Sequence, residues 1–207
     1  MELLKIIIVC FVAGAGAGIG TGFAGMSAAA VIGPVLATFL DITPYEAVGI
    51  GLISDVLASA ISAYTYKKNG NLDIKNSLPM LASVLIFTIT GSIIAQYVPK
   101  HAMGNMMQIS MILIGLRFLV KSFKEQKRIE KSSDEKNKLL KAVIGGSLVG
   151  FICGFVGAGG GMMMLFVLTA FLGYETHVAV GTSVFMMAFT ALTGGISHFA
   201  IGGVTNW

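Results

Sequence analysis

Charge is scarce in this sequence. Aspartate, glutamate, lysine and arginine make up 12% of its 207 residues, against about 25% in an ordinary soluble domain. So few charges cannot cover a water-facing surface, which excludes a soluble globular enzyme. Cysteine is scarcer still. Cys10 and Cys153 stand alone inside apolar runs and form no CxxC. They read as small buried side chains and supply no metal site. No Gly-Lys-Ser/Thr follows a glycine-rich stretch, which removes a P-loop. No basic and aromatic cluster is present to hold nucleic acid. Asp55 is the single acid within the apolar runs, so an intramembrane aspartyl protease, which needs two, is excluded. Ser183 and His198 are fifteen residues apart in one apolar run, about 22 Å along a helix axis, too far for a Ser–His pair. The residues point to no enzyme, no cofactor and no metal.

Long apolar runs fill the rest. Hydrophobic residues make up 55% of the chain, and the mean hydropathy is +0.84. A helix crosses a bilayer with about 20 apolar residues, and several runs reach that length. The expected fold class is an all-α polytopic membrane protein. Spans are expected at 4–24, 46–66, 77–98, 102–121, 142–157 and 176–200, with short segments at 26–40 and 160–173. Between Lys121 and Lys141 lie eight basic residues and four acids. The chain thus divides into a first membrane half, 1–121, a charged linker, 122–141, and a second half, 142–207. Basic loops stay on the cytoplasmic side. The loop with Lys67, Lys68 and Lys75 and the linker are two spans apart, which puts both in the cytoplasm of a multi-pass cell-membrane protein. The net charge of +4 suits loops at an anionic leaflet. The partners implied are the lipid bilayer and a small anionic substrate, with no nucleic acid, and a homo-oligomer is compatible with the pattern.

The stretch Gly20-Thr21-Gly22-Phe23-Ala24-Gly25 fits GxGxxG. A dinucleotide site needs that motif after a strand, opening a helix in a soluble βαβ unit. Here it follows IIIVCFVAGAGAG inside a membrane-length run, so the dinucleotide reading fails. The same N-terminal run has the form of a signal peptide, but its recurrence later in the chain marks it as the first span.

That recurrence is internal. One constant shift, without a gap, lays Gly14, Gly18, Gly22, Phe23 and Gly25 on Gly146, Gly150, Gly154, Phe155 and Gly157, and Ala47-Val48-Gly49 on Ala179-Val180-Gly181. Two repeats are the usual build of a secondary transporter. The second repeat stops where the first reaches Lys75, so the last two helices of that half are expected to be missing. The loop copy IGGVTNW carries no basic residue, which favours inverted repeats, with parallel halves as the alternative if the short segments are re-entrant.

Each repeat sets a glycine cluster between a long and a short helix, Gly22 to Ser27 and Gly157 to Gly161. Glycine costs a helix about 1 kcal/mol against alanine. A broken helix in lipid needs its freed N–H groups satisfied, and the restarting helix presents a positive dipole end that suits an anion. The expected binding residues are Gly22, Gly25, Ser27, Gly157, Gly159, Gly160 and Gly161, with Thr182 and Ser183 as hydroxyl ligands. Close helix packing competes with this reading. It fits Gly14, Gly18, Gly22 and Gly146, Gly150, Gly154 better than binding, and both readings stand for the tight clusters. Asp55 lies mid-helix in GLISDVLASA. An intramembrane carboxylate is functional by default, here as a proton-coupling group, or else a neutral acid that joins helices. Pro34 marks a kink.

The pattern G-x-x-x-G-F-x-G, then Pro-x-Leu, then Ala-Val-Gly before a serine-bearing helix resembles the sulfite exporter TauE/SafE family. The second copy is closer, with Gly154-Phe155-Val156-Gly157-Ala158-Gly159-Gly160-Gly161 and Ala179-Val180-Gly181-Thr182-Ser183. The resemblance spans nearly the whole chain. It implies a permease of two repeats that moves sulfite, sulfonates or related small anions with protons. A passive anion channel or a structural membrane component is the alternative.

Overall fold

Backbone in lipid must satisfy its own hydrogen bonds, which leaves the helix as the natural element for runs this apolar. A computed structural model describes residues 2–42, 44–95, 97, 135–156 and 160–202, and every element among them is helical. In chain order these are α1 (Glu2–Ala24), α2 (Ala29–Phe39), α3 (Pro44–Lys68), α4 (Ile74–Ala95), α5 (Glu135–Val156), α6 (Gly160–Phe166) and α7 (Thr176–Gly202). A π-helical turn, Val167–Phe171, continues α6. Among the described residues, α1, α4, α5 and α7 contain stretches long and apolar enough to cross a membrane. Helix α3 is as long, but carries Asp55 in its middle and Lys67 and Lys68 in its last turn.

Helix α5 begins within the charged stretch. The charged linker is expected to run through Lys141, yet residues 135–141 already form the first turns of α5. Glu135, Lys136, Lys138, Leu139, Leu140 and Lys141 are all straight-chain or leucine side chains that lose little freedom in a helix. The expected span 102–121 and linker residues 122–134 lie outside the described residues.

Glycine sets how α4 and α5 meet. A Cβ placed on Gly146 would stand 2.8 Å from the Met80 carbonyl oxygen, one on Gly150 2.8 Å from Val84 Cα, and one on Gly154 2.8 Å from the Thr88 carbonyl carbon. Gly91 of α4 returns the contact, 2.9 Å from Phe155 N by the same measure. Both helices advance four residues per step, so their backbones touch along one seam. The packing reading of these three glycines therefore holds. For Gly14, Gly18 and Gly22 of α1 no described residue lies within 4 Å of an added Cβ.

The interior gathers around α7. Met80 and Val84 of α4, Met164 and Leu168 of the α6 segment, and Ala179 and Met186 of α7 form one buried cluster. Val180 and Val184 meet Ala63 of α3 in another. Several hydroxyls inside these helices bond back to their own backbone, as Thr88 does to the Val84 carbonyl at 2.8 Å and Thr190 to Met186 at 2.9 Å. They enter the apolar core satisfied. Large side chains such as Phe11, Phe23, Ile86 and Leu148 face outward. An apolar exterior of this extent suits lipid and not water.

Candidate functional site

Helix α1 ends because Gly25 adopts φ +62, a left-handed conformation that glycine takes without a Cβ clash. The Gly25 N–H still reaches the Thr21 carbonyl at 3.1 Å, and the Met26 N–H reaches Gly20 at 3.2 Å. The chain then restarts as α2. The first N–H groups of a helix have no partner within it, and Ala28, at the N-cap position, has no side-chain oxygen to offer.

Asp55 of α3 fills that need. Its Oδ1 accepts the Ala28 N–H at 2.7 Å, and its Oδ2 accepts the Ser27 hydroxyl at 2.6 Å. Asp55 is 1% exposed, and Ser27 and Ala28 are buried with it. Gly51, one turn earlier on α3, permits the approach, since a Cβ there would stand 2.8 Å from Ala29 Cα. Ser59, one turn later, donates to the Asp55 carbonyl and serves α3 itself. Among the described residues no cation pairs with the Asp55 carboxylate, and no cluster of three His, Cys, Asp or Glu could hold a metal.

The second half closes on the same point. The Gly25 carbonyl lies against Gly161 of α6, where an added Cβ would also stand 2.5 Å from the Met187 sulfur. A Cβ on Gly25 would stand 3.1 Å from Ser183 Oγ. The buried Cys153 sulfur of α5 lies 3.0 Å from the Cβ position of Gly160. Of the expected binding residues, Gly25, Ser27, Gly161 and Ser183 thus meet around the start of α2, with Asp55 bonded to Ser27 and Gly160 next to Gly161. Ser183 donates its hydroxyl to the Val180 carbonyl at 2.9 Å. Gly157 and Gly159 lie outside the described residues.

Two expected residues are occupied elsewhere. The Thr182 hydroxyl accepts the Asp73 N–H at 3.1 Å, at the loop between α3 and α4. Gly22 sits in the last turn of α1, and its carbonyl accepts the Tyr66 hydroxyl at 3.0 Å. Tyr66 escapes a reading of the sequence, because a phenol at a helix end gives no pattern that finds a carbonyl on a distant helix.

The loop at Asp73 forms a second polar knot. Asp73 caps α4 by accepting the Asn76 N–H at 3.2 Å, a common helix-starting arrangement. It also accepts from the Asn76 side-chain amide at 2.7 Å and from the Tyr174 hydroxyl at 3.1 Å. Partial burial pushes the Asp73 carboxyl up, but these donors outweigh it and hold the group below the usual carboxylate range. Burial, then the Asp73 charge, pushes the Tyr174 phenol well above its ordinary value. This knot ties the α3–α4 loop to the segment between α6 and α7.

A groove of about 300 Å³ lies between α1, α2 and α3, walled by Ala13, Gly14, Ala17, Gly18, Ile32 and Ile50. Its lining is mostly apolar, with Ser54 among it. Asp55, Ser27 and Ser183 do not line it, but Ala28, whose N–H meets Asp55, and Ser54, next to Asp55 in α3, do.

Known proteins resemble this chain along most of its length. "Probable membrane transporter protein YunE" of Bacillus subtilis (strain 168) is 30% identical over 210 residues, covering 92% of this chain and 74% of that protein. "Probable membrane transporter protein YdhB" of the same organism is 26% identical over 205 residues, covering 97% and 80%. "Probable membrane transporter protein MJ0441" of Methanocaldococcus jannaschii is 27% identical over 187 residues, covering 87% and 65%. No solved structure matches. The sequence model described as "Sulfite exporter TauE/SafE" matches residues 10–207. With a profile match over nearly its whole length and transporters as relatives, this helical membrane chain belongs to the sulfite exporter TauE/SafE family.

Proposed function

We propose that the chain is a secondary transporter that carries small sulfur-containing anions, such as sulfite or organosulfonates, across the cell membrane with proton coupling. Cargo binds between the two helix breaks, and the halves rock around it by alternating access. The observation that carries this reading is the meeting of the breaks, with the Gly25 carbonyl against Gly161 and Ser183 Oγ beside Gly25. Backbone freed from helices at membrane depth is tolerated where it serves a cavity or ligand. Gly157, Gly159 and Gly160 extend the same binding region, and Asp55 is the proton-coupling group. Thr182 acts through the α3–α4 loop that it holds.

The helix boundaries support a two-repeat build. α1 and α5 end at Ala24 and Val156, the α2 and α6 segments end at Phe39 and Phe171, and α3 and α7 open at Pro44 and Thr176. Each pair keeps the same offset that lays Gly14 on Gly146. Asp41 and Gly173, both at positive φ, keep it too. The repeats are inverted in this reading, with the linker 122–141 and the α3–α4 loop in the cytoplasm. The transporter names of the relatives fit a carrier rather than a catalyst.

Flux tests the proposal. Proteoliposomes are loaded in parallel with sulfite, thiosulfate and a small sulfonate, with chloride as control, with and without a pH gradient. Saturable, gradient-dependent movement of a sulfur anion is the expected result. Equal leakage of every anion indicates a channel, and no movement of any anion rejects transport of these cargoes.

A further inference from the structure

Resting on the transport reading, a further device can be read from how the polar centre is closed. Ser27, Asp55 and Ser183 are buried, so cargo reaches them only when something that covers them moves. On the side of the α3–α4 loop the cover is identifiable. Residues 69–73 turn away from α3 at Gly70, whose φ of +73 is a left-handed conformation that suits glycine. They then lie across the start of α7. The Asn71 carbonyl rests against Gly181, where an added Cβ would also stand 2.8 Å from Tyr66 Cβ. The Asp73 N–H donates to the fully enclosed Thr182 hydroxyl at 3.1 Å. The Tyr174 hydroxyl, just before α7, donates to the Asp73 carboxylate at 3.1 Å. Gly181 and Thr182 immediately precede Ser183, whose Oγ lies beside Gly25. The turn therefore covers the part of α7 that leads to the meeting of the breaks.

A turn that only joined α3 to α4 would need no bond to the second half, yet Tyr174, Gly181 and Thr182 all hold this one. The hold is also light. The α4–α5 seam is backbone against glycine at Gly146, Gly150 and Gly154, and parting it moves two whole helices. The turn is held by two hydrogen bonds, the Gly181 contact and Leu72, which packs on the cluster of Ala63, Val180 and Val184. Asn69 and Gly70 are exposed, and Asn71, Leu72 and Asp73 are half-buried. Hydrogen bonds at such an edge exchange for bonds to water at small net cost, and a segment with few buried apolar contacts opens without unfolding the rest. We infer that residues 69–73 are a strap over the α3–α4 side of the carrier. It leaves Tyr174, Gly181 and Thr182 when the polar centre opens to that side, and it re-engages them when the opposite side opens.

Tethering the strap tests this. The full chain with Asp73→Cys and Tyr174→Cys is reconstituted, and sulfite flux is measured after treatment with a short bismaleimide, a long flexible bismaleimide or N-ethylmaleimide. The two single variants receive the same reagents, which controls for reaction at Cys10 and Cys153. The short bridge is expected to lower flux at least about ten-fold against the N-ethylmaleimide sample, as for a lid that cannot open. The long bridge, which permits movement, restores most of it. Equal flux with the short bridge and with N-ethylmaleimide overturns the inference. Hydrogen exchange at the Asp73 amide gives a second readout that needs no cargo. In wild type this amide is expected to exchange faster than the amides of 184–190 in α7, and in the double variant the short bridge slows it. Exchange as slow as that of α7, or unchanged by the bridge, overturns the strap even where the double variant carries no flux. Failure of the transport reading has a separate signature, in which the Asp73 amide opens and is slowed by the bridge but wild type moves no sulfite.

Discussion

Gly150 and Gly18 occupy matching places in the sequence and make opposite predictions. At Gly150 a Cβ would stand 2.8 Å from Val84 Cα and 2.9 Å from its carbonyl carbon. Both atoms belong to the α4 backbone, which cannot rotate away as a side chain can. To reach ordinary contact at 3.4 Å, α4 and α5 must part along their seam, which also loosens the neighbouring contacts at Gly146 and Gly154. Overpacking of this kind costs about 1–3 kcal/mol. Alanine returns about 1 kcal/mol of helix propensity over glycine, so Gly150→Ala is expected to lose up to about 2 kcal/mol. At Gly18 no described residue lies within 4 Å of the added carbon, and only the propensity gain remains. Gly18→Ala is therefore expected to be neutral or slightly stabilising. The assay is the temperature at which each purified variant loses its monodisperse peak in detergent. A loss at Gly18 equal to or larger than that at Gly150 would refute the assignment of the α4–α5 seam.

Two further outcomes are expected. Gly25→Ala forces a left-handed backbone on an L side chain, at about 1–2 kcal/mol, and crowds Ser183 Oγ at 3.1 Å, so both thermal midpoint and sulfite flux should fall. Normal flux with a normal midpoint would show that the break tolerates a side chain. Asp73 has a carboxyl held below its unfolded value, so its contribution is present above the unfolded pKa of about 3.9 and is lost as pH falls through the lower folded value. Wild type should lose stability on acidification through that window, and Asp73→Asn should flatten that part of the profile; an unchanged slope counts against the loop knot.

Much of the helix layout is legible in the sequence because lipid imposes long apolar runs and glycine marks their ends. The end of α1 near Gly25 and the small-residue face of α5 can be seen in the sequence. The start of α5 escapes such a reading because a run of charge looks like a loop, although lysine, glutamate and leucine are good helix formers outside a membrane as well as within it. Ser27 and Asp55 each stand out in the sequence, for different roles. Their bond does not, since it depends on how α3 lies across α2, which Gly51 permits and no local pattern encodes. Thr182 reads like its neighbour Ser183, yet successive helix residues point about 100° apart, and the two hydroxyls serve different places. The glycines of α1 show the converse limit, because a small-residue face reveals that a close approach is permitted and not whether a partner makes it.

The different burial of α1 and α7 bears on how the protein is assembled. In α1 only 11% of the most apolar window is buried inside the protein. Its backbone bonds close within the helix and its large side chains, such as Phe11 and Ile19, are exposed among the described residues, so on entering the bilayer it is near its final surroundings. Helix α7 buries 67% of its window, with Thr182, Ser183 and Thr190 all fully enclosed. It reaches its native contacts only when α3, α4 and the α6 segment stand beside it. Insertion and folding are therefore separate events for α7 and almost the same event for α1, which makes completion of the central helix, and not entry of the first, the step at which this protein acquires its structure.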